Sequence, residues 1–166
     1  MEGRVRAIAQ IHEQLYASDD LREVEVGSYL SGLAGELVQL HDTATGGVKL
    51  RLNVVAMVLP IDKAIPVGLI ANELIVNSLK HGLRERTGDL ALTLDYVAEN
   101  MGRLRVEDSG PGLPAGFDVS KGTSMGYRLL NLLVRQIRGR LHADEAPGAS
   151  VTITFPVAQQ SKNAGG

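Results

Sequence analysis

The stretch from Ala64 to Leu83 constrains the fold more than any other part of this 166-residue chain. Its apolar residues fall on almost every face of a helix, and Pro66 suits a first helical turn. A helix of this kind should be buried on most of its surface. We therefore expect the rest of the chain to pack around it.

One polar stripe interrupts this helix. Glu73, Asn77, Lys80 and His81 recur at a spacing that places them on one face. An acid and an amide on a buried helix are costly unless something pairs with them. The stripe is therefore either a binding face or a solvated face on which the asparagine bonds to nearby backbone. Asn72 lies on another face, where we expect local hydrogen bonds.

A second polar segment, EDSGPGLP, follows a strand-like run of alternating apolar and charged residues. Asp108 therefore ends a strand, just before a turn that contains Gly110 and Gly112. A carboxylate there can accept a hydrogen bond from an adenine amine, and the glycines permit a close backbone approach or a positive φ. Ordinary turn formation is the alternative reading of the same residues.

A glycine-rich turn, GTSMG, leads into the amphipathic run YRLLNLLVRQIRGRL. Free amides and the helix dipole at such a helix start form an anion site. The alternative is that Ser124 is an ordinary N-cap, with flexible glycines beside it. Each of the three motifs is weak alone, but their order and spacing in one small domain are specific.

Taken together, NELIVNSLKHG, VEDSGPGLP and GTSMGYRLL resemble the N, G1 and G2 boxes of the catalytic ATP-binding domain of sensor histidine kinases. That domain belongs to the GHKL (Bergerat-type) ATPase superfamily, shared with gyrase B, Hsp90 and MutL. The upstream RVRAIAQIHEQLYAS resembles the subfamily with the second type of histidine-kinase dimerisation domain. The likeness extends from about Arg4 to Pro156.

The resemblance implies ATP and Mg²⁺ as ligands and assigns roles by position. Glu73 resembles the acid that polarises a water or the attacking group, and Asn77 resembles the magnesium-binding asparagine. The remaining assignments are Lys80 and His81 near the phosphates, Asp108 reading adenine, Gly110 and Gly112 as the G1 glycines, and Gly122, Ser124 and Gly126 as the phosphate-side lid hinge. Ala149 stands where many relatives carry Thr, and the lid is short, with Phe117 its only aromatic residue.

The same resemblance places the phosphorylated histidine on a helix upstream of this chain. His12 then belongs to the second dimerisation helix as a packing or surface residue, and His41 and His142 are expected to be surface residues without partners. The implied partners are that phosphoacceptor helix, a second copy of the parent kinase in a homodimer, and a response regulator.

Composition is that of one globular domain, with 44% hydrophobic and 22% charged residues. A net charge of −2 gives no electrostatic case for nucleic acid or an anionic membrane, and the absence of cysteine excludes disulfides and thiolate metal sites. With no signal peptide or spanning segment visible in this chain, we expect this part of the protein in the cytoplasm, whether or not its parent is tethered to a membrane.

The predicted fold is α+β, a two-layer sandwich of a mixed sheet with helices on one face. Residues 1–20 are expected to be a remnant of the dimerisation helix, 21–158 the ATP-binding domain and 159–166 a polar tail. The elements expected are helices to about Ser18, over 27–43, 64–83 and after the lid, and strands near Val24, over 49–55, 90–97, 102–107, 140–144 and 150–156.

Two other functions stay open at this stage. One is a serine-kinase anti-sigma factor or a stand-alone ATPase of the same superfamily, against which the RVRAIAQIHEQLY helix argues. The other is a degenerate phosphotransfer or scaffold domain that has lost ATP, against which the intact Glu73, Asn77 and Asp108 argue.

Overall fold

A computed structural model describes residues 23–41, 47–83, 87–113, 125–144 and 147–158 of the chain, together with Ala9 and Asp118. The elements run in the order β1 (Glu23–Glu25), α1 (Val26–His41), β2 (Val48–Val54), β3 (Val58–Pro60), α2 (Ile61–Asn77), a π-helical turn (Ser78–Gly82), β4 (Gly88–Ala98), β5 (Met101–Asp108), α3 (Met125–Gln136), β6 (Arg140–Asp144) and β7 (Ser150–Pro156). The predicted α+β class is confirmed.

The main sheet has five strands in the order β2-β4-β5-β7-β6. It is mixed, because β2 runs parallel to β4 whereas the other neighbours are antiparallel. Leu90 pairs with Asp108 across β4 and β5, and Glu107 pairs with Ser150 across β5 and β7. This register brings the start of β4, the end of β5 and the start of β7 to the same edge of the sheet.

The core lies between this sheet and the helices. Side chains alternate along β4 and β5, so that Leu90, Leu92, Leu94, Leu104 and Val106 are buried while their neighbours are half-exposed. α2 packs against both α1 and α3, and it buries ten of its 17 residues. Its apolar surface is covered from several directions at once, as its nearly all-round apolar pattern predicts.

The outer face of the sheet is polar. Arg103 forms a bidentate pair with Asp95 on the neighbouring strand, with contacts of 2.8 and 2.6 Å. Arg105 contacts Asp144 at 2.7 Å. Such half-exposed pairs on one face and leucines on the other give the two-layer arrangement that the alternation in the sequence indicates.

Local boundaries differ from the prediction around α2. The helix begins at Ile61 rather than Ala64, so Pro66 lies in its second turn instead of its first. Its last predicted residues form the π-helical turn instead of continuing the α-helix. The short strand β3 was not predicted and pairs with β1 in a separate two-stranded sheet. The predicted N-terminal helix, with His12, lies outside the described residues.

Among the residues the structure describes, no helix has both the length and the apolar character needed to cross a lipid bilayer.

Candidate nucleotide site

The carboxylate of Asp108 is the centre of the candidate site. The residue ends β5 and is 6% exposed. Its Oδ1 accepts hydrogen bonds from the backbone N–H groups of Gly110, at 2.9 Å, and Ala149, at 3.4 Å. Its Oδ2 is buried and has no hydrogen-bond partner among the described residues. A buried carboxylate oxygen without a donor is costly, so the geometry is one that a ligand donor would complete.

Backbone contacts hold this carboxylate in place. Asp108 N donates to Ala149 O at 2.9 Å, which ties the end of β5 to the residue before β7. Ser109 is fixed to the start of β4, because its N–H donates to Asp89 O at 3.0 Å and its hydroxyl accepts from Asp89 N at 2.8 Å. Ala149 therefore holds Asp108 through its main chain, so these contacts do not depend on the identity of its side chain.

Three glycines allow the backbone to close around Asp108. A Cβ added to Gly110 would lie 2.9 Å from Asp108 Oδ1 and 2.6 Å from the carbonyl carbon of Gly82. Gly112 and Gly148 have positive φ values, 85° and 90°. A close backbone approach or a positive φ was expected of the G1 glycines; Gly112 adopts the positive φ, and Gly110 allows the close approach.

The polar stripe of α2 runs from the interior to the surface. Glu73 is 7% exposed, Asn77 is half-buried, and Lys80 and His81 are exposed. Asn77 is the last residue of α2, and Lys80 and His81 lie in the π-helical turn that follows. Because Glu73 is buried, the stripe is not simply a solvated helix face.

That turn brings the stripe to Asp108. Gly82 ends the turn, and a Cβ added there would lie 2.6 Å from Asp108 Cγ and 2.7 Å from Oδ1, and closer still to Oδ2. The end of the N-box segment and the G1 turn are therefore in direct contact, although they are 26 residues apart. π-Helical turns of this kind are rare and are frequently found at functional sites.

The structure describes only one of the three residues predicted to form the lid hinge. Gly126 is half-buried in the first turn of α3, whereas Gly122 and Ser124 lie outside the described residues, as does Phe117.

Asn72 is 2% exposed, and its Oδ1 has no partner among the described residues, so the expectation of local hydrogen bonds is wrong for this atom. The backbone N–H groups in the middle of a helix are already used by the helix itself.

The two surface histidines are exposed as predicted. His41 Nδ1 lies 2.9 Å from Leu37 O, one turn earlier in α1. His142 was expected to have no partner, but its Nε2 lies 2.9 Å from Asp144 Oδ1 on the same strand. The alternation of side chains along a strand puts residues two apart on one face, which explains this pair.

The described residues contain no preformed cluster of acidic or histidine side chains for a metal. In the described part of the structure, no three His, Asp or Glu side chains are close enough to hold an ion. Asn77 offers one amide oxygen, which suits Mg²⁺ only if water and phosphate oxygens supply the other ligands. The donor set therefore fits a magnesium ion that arrives with a nucleotide.

Gly82 and Gly148 contact Asp108 although the sequence alone indicates no role for them. Gly148 packs its Cα against the backbone of Asp108, and a Cβ there would lie 3.2 Å from the Asp108 carbonyl carbon and closer to its oxygen. Gly82 was visible only as the last letter of NELIVNSLKHG. No local signal marks a glycine that is needed for a contact distant in sequence.

Comparison with known protein families gives two matches. Residues 62–159 match the family described as histidine kinase-, DNA gyrase B-, and HSP90-like ATPase. Residues 1–41, which include α1, match a second family, described as histidine kinase.

Curated relatives cover almost the whole chain. It is 26% identical to blue-light-activated histidine kinase 2 of Erythrobacter litoralis over 96% of its length, and 29% identical to the sensor histidine kinase PdtaS of Mycolicibacterium smegmatis over 97%. The chain spans only 47% and 33% of the lengths of these two relatives.

Solved structures share the fold. The histidine kinase domain of the Erythrobacter litoralis EL346 blue-light-activated kinase superposes with a TM-score of 0.86 at 24% identity, covering 96% of this chain and 75% of that one. The mycobacterial sensor histidine kinase MprB superposes with a TM-score of 0.66 at 19% identity, covering 81% of this chain and 95% of that one.

Proposed function

We propose that this chain, which belongs to the histidine kinase-, DNA gyrase B- and HSP90-like ATPase family, is the ATP-binding catalytic part of a sensor histidine kinase. The observation that carries the proposal is the buried Oδ2 of Asp108, which lacks a donor among the described residues. The exocyclic amine of adenine supplies such a donor. The hydrogen bonds that Oδ1 accepts fix the carboxylate, so that Oδ2 is left for the base.

The N-box residues suit the phosphate end of the nucleotide. Asn77 would hold Mg²⁺ through its amide oxygen, and the ion would neutralise charge on the phosphates. Lys80 is exposed, two residues before the glycine that contacts Asp108, so its ammonium is free to reach a phosphate oxygen. His81 lies beside it, and Gly126 in the first turn of α3 belongs to a helix start whose dipole favours anions.

The reaction proposed is phosphoryl transfer to histidine. A ring nitrogen of the acceptor attacks the γ-phosphorus, the bond from that phosphorus to the β–γ bridging oxygen breaks, and ADP leaves. The protein contributes mainly position and charge. Glu73, a buried acid one turn before Asn77, is proposed to polarise the attacking group.

The acceptor and the later partners lie outside this chain in the proposal. The match of residues 1–41 to a histidine kinase family supports a dimerisation helix at the N-terminal end, with residues 1–20 its remnant and 21–158 the catalytic domain. The acceptor histidine would come from the phosphoacceptor helix of the parent homodimer, and phosphoryl would pass to an aspartate of a response regulator. This part of the protein would lie in the cytoplasm, because ATP is available there.

The test is calorimetric titration of the chain with ATP, ADP and GTP, with and without Mg²⁺. The proposal expects ATP and ADP to bind, GTP to bind much more weakly because its base has a carbonyl where adenine has the amine, and Mg²⁺ to strengthen ATP binding. Failure to bind any adenine nucleotide would contradict the proposal and favour a scaffold domain that has lost ATP.

A further inference from the structure

The Oδ2 of Asp108 is both unpaired and closed off. It is inaccessible to solvent and has no donor among the described residues. An adenine amine must come to about 2.9 Å from this oxygen to form a hydrogen bond. Part of the protein must therefore move before the base can bind there.

Gly82 is the backbone that lies against this oxygen. A Cβ built on Gly82 would be 2.6 Å from Asp108 Cγ and nearer still to Oδ2, so the Cα itself packs on the carboxylate. The carbonyl of Gly82 in turn packs on Gly110, where a Cβ would lie 2.6 Å from the Gly82 carbonyl carbon. The last residue of the π-helical turn thus fills the space beside the acceptor.

The turn that carries Gly82 has a π-helical hydrogen-bond register. Leu83 N donates to Ser78 O at 2.8 Å, five residues back, where an α-helix would use a carbonyl four residues back. In the α register, Leu83 N would donate to the carbonyl of Leu79 instead, and Gly82 would shift. Ser78 and Leu79 are buried and anchor the start of the turn, whereas Lys80 and His81 are exposed and free to move with it.

We propose that Gly82 gates the adenine acceptor: the π-helical turn covers Asp108 Oδ2 and moves away when the base enters. The inference rests on the proposed function and adds Gly82 to the site as a positioning residue. Because the turn also carries Lys80 and His81, entry of the base repositions the groups proposed to bind phosphate.

Substitution of Gly82 distinguishes a turn that moves when adenine binds from a turn that stays in place. A Cβ on Gly82 would clash with the Asp108 carboxylate, so either the turn or the carboxylate must shift in Gly82→Ala. If the turn is a gate, it shifts, and Gly82→Ala should bind ADP about three- to tenfold more tightly than wild type, since the apparent Kd falls as the competent fraction rises. Gly35→Ala is the matched control, because Gly35 lies in α1 with open space around its Cα, and it should leave the Kd unchanged. Weaker or unchanged ADP binding by Gly82→Ala would overturn the gate.

A measurement on the wild-type chain decides the matter even if Gly82→Ala does not fold. The NMR coupling across the hydrogen bond from Leu83 N to Ser78 O should be present without ligand and lost with saturating adenosine, which has no phosphates. Persistence of this coupling in the adenosine complex would overturn the gate. Absence of any adenine nucleotide binding by wild type would instead refute the proposed function, so the two failures are distinguishable.

Discussion

Replacement of Asp108 by asparagine changes one oxygen of the candidate site. Oδ1 accepts from Gly110 N and Ala149 N, so an asparagine keeps its amide oxygen at that position. Its NH₂ group then takes the place of Oδ2, the buried atom without a donor. A donor would therefore face the adenine amine, which is itself a donor.

The expected loss of ADP affinity follows from this single hydrogen bond. A hydrogen bond to a charged group contributes about 1.5–3 kcal/mol, which corresponds to roughly 10- to 150-fold in Kd. The nucleotide-free fold should change little in stability, because the two backbone contacts remain and a neutral amide is less costly to bury than an unpaired carboxylate oxygen.

Calorimetry with ADP measures the loss, and chemical denaturation without nucleotide measures the stability. Asp95→Asn is the matched control, since it makes the same chemical change on the outer face of the same sheet, where Asp95 pairs with Arg103. That variant should bind ADP as wild type does. Unchanged ADP affinity in Asp108→Asn would refute the assignment of Asp108, and an equal loss in Asp95→Asn would show that the effect is not local.

Three further predictions concern the metal, the acceptor and the fold. Asn77→Ala should leave weaker ATP binding that no longer responds to Mg²⁺, whereas tight Mg²⁺ binding by the nucleotide-free wild type, measured by calorimetry, would contradict the role of Asn77. The chain incubated with Mg-ATP should not gain stable phosphohistidine until the upstream helix is supplied in trans, and transfer should then need Asn77 and Asp108; acid-labile phosphate on His12, lost in His12→Ala, would overturn this. Burial alone would raise the pKa of Glu25, but hydrogen bonds from Ser28, Met57 and Gly27 outweigh it and hold the pKa below its usual range. Because the pKa of Glu25 is lower in the folded state, its hydrogen bonds stabilise the fold at neutral pH, and this stabilisation is lost as the pH falls through the folded pKa. Glu25→Ala should lower the free energy of unfolding by about 1–2 kcal/mol at pH 7 and by less in acid, as measured by urea denaturation. An equal loss at both pH values would contradict this prediction.

Much of the architecture could be predicted because the signals are local. Alternation of apolar and polar residues marks β5 and β7, and the nearly continuous apolar pattern of residues 64–83 marks a buried helix. Periodicity identifies such elements because each face of a helix or strand meets one environment along its length. β3 was not predicted, because three residues ending in a proline are too few to show a hydrophobic periodicity. They become a strand only by pairing with β1.

The types of residue at the site were also visible in the sequence. Asp108 was expected at a strand end beside glycines, and Asn77 on a helix stripe with Glu73 and Lys80. Their roles remain predictions, but these positions agree with the structure, because the motifs are short and each lies within a single element and its adjoining turn.

Only the tertiary structure decided how these motifs meet. Asp108 Oδ1 accepts from the nearby Gly110 N and also from Ala149 N, 41 residues away, while Oδ2 has no partner among the described residues. That residues 78–82 form a π-helical turn, with Gly82 against the carboxylate, depends on packing between α2 and the end of β5. The sequence by itself determined which elements form and which side chains they carry. Pairing and contact between distant segments arise only when the sheet register and the helix layer come together, because no local pattern encodes the distance between two segments.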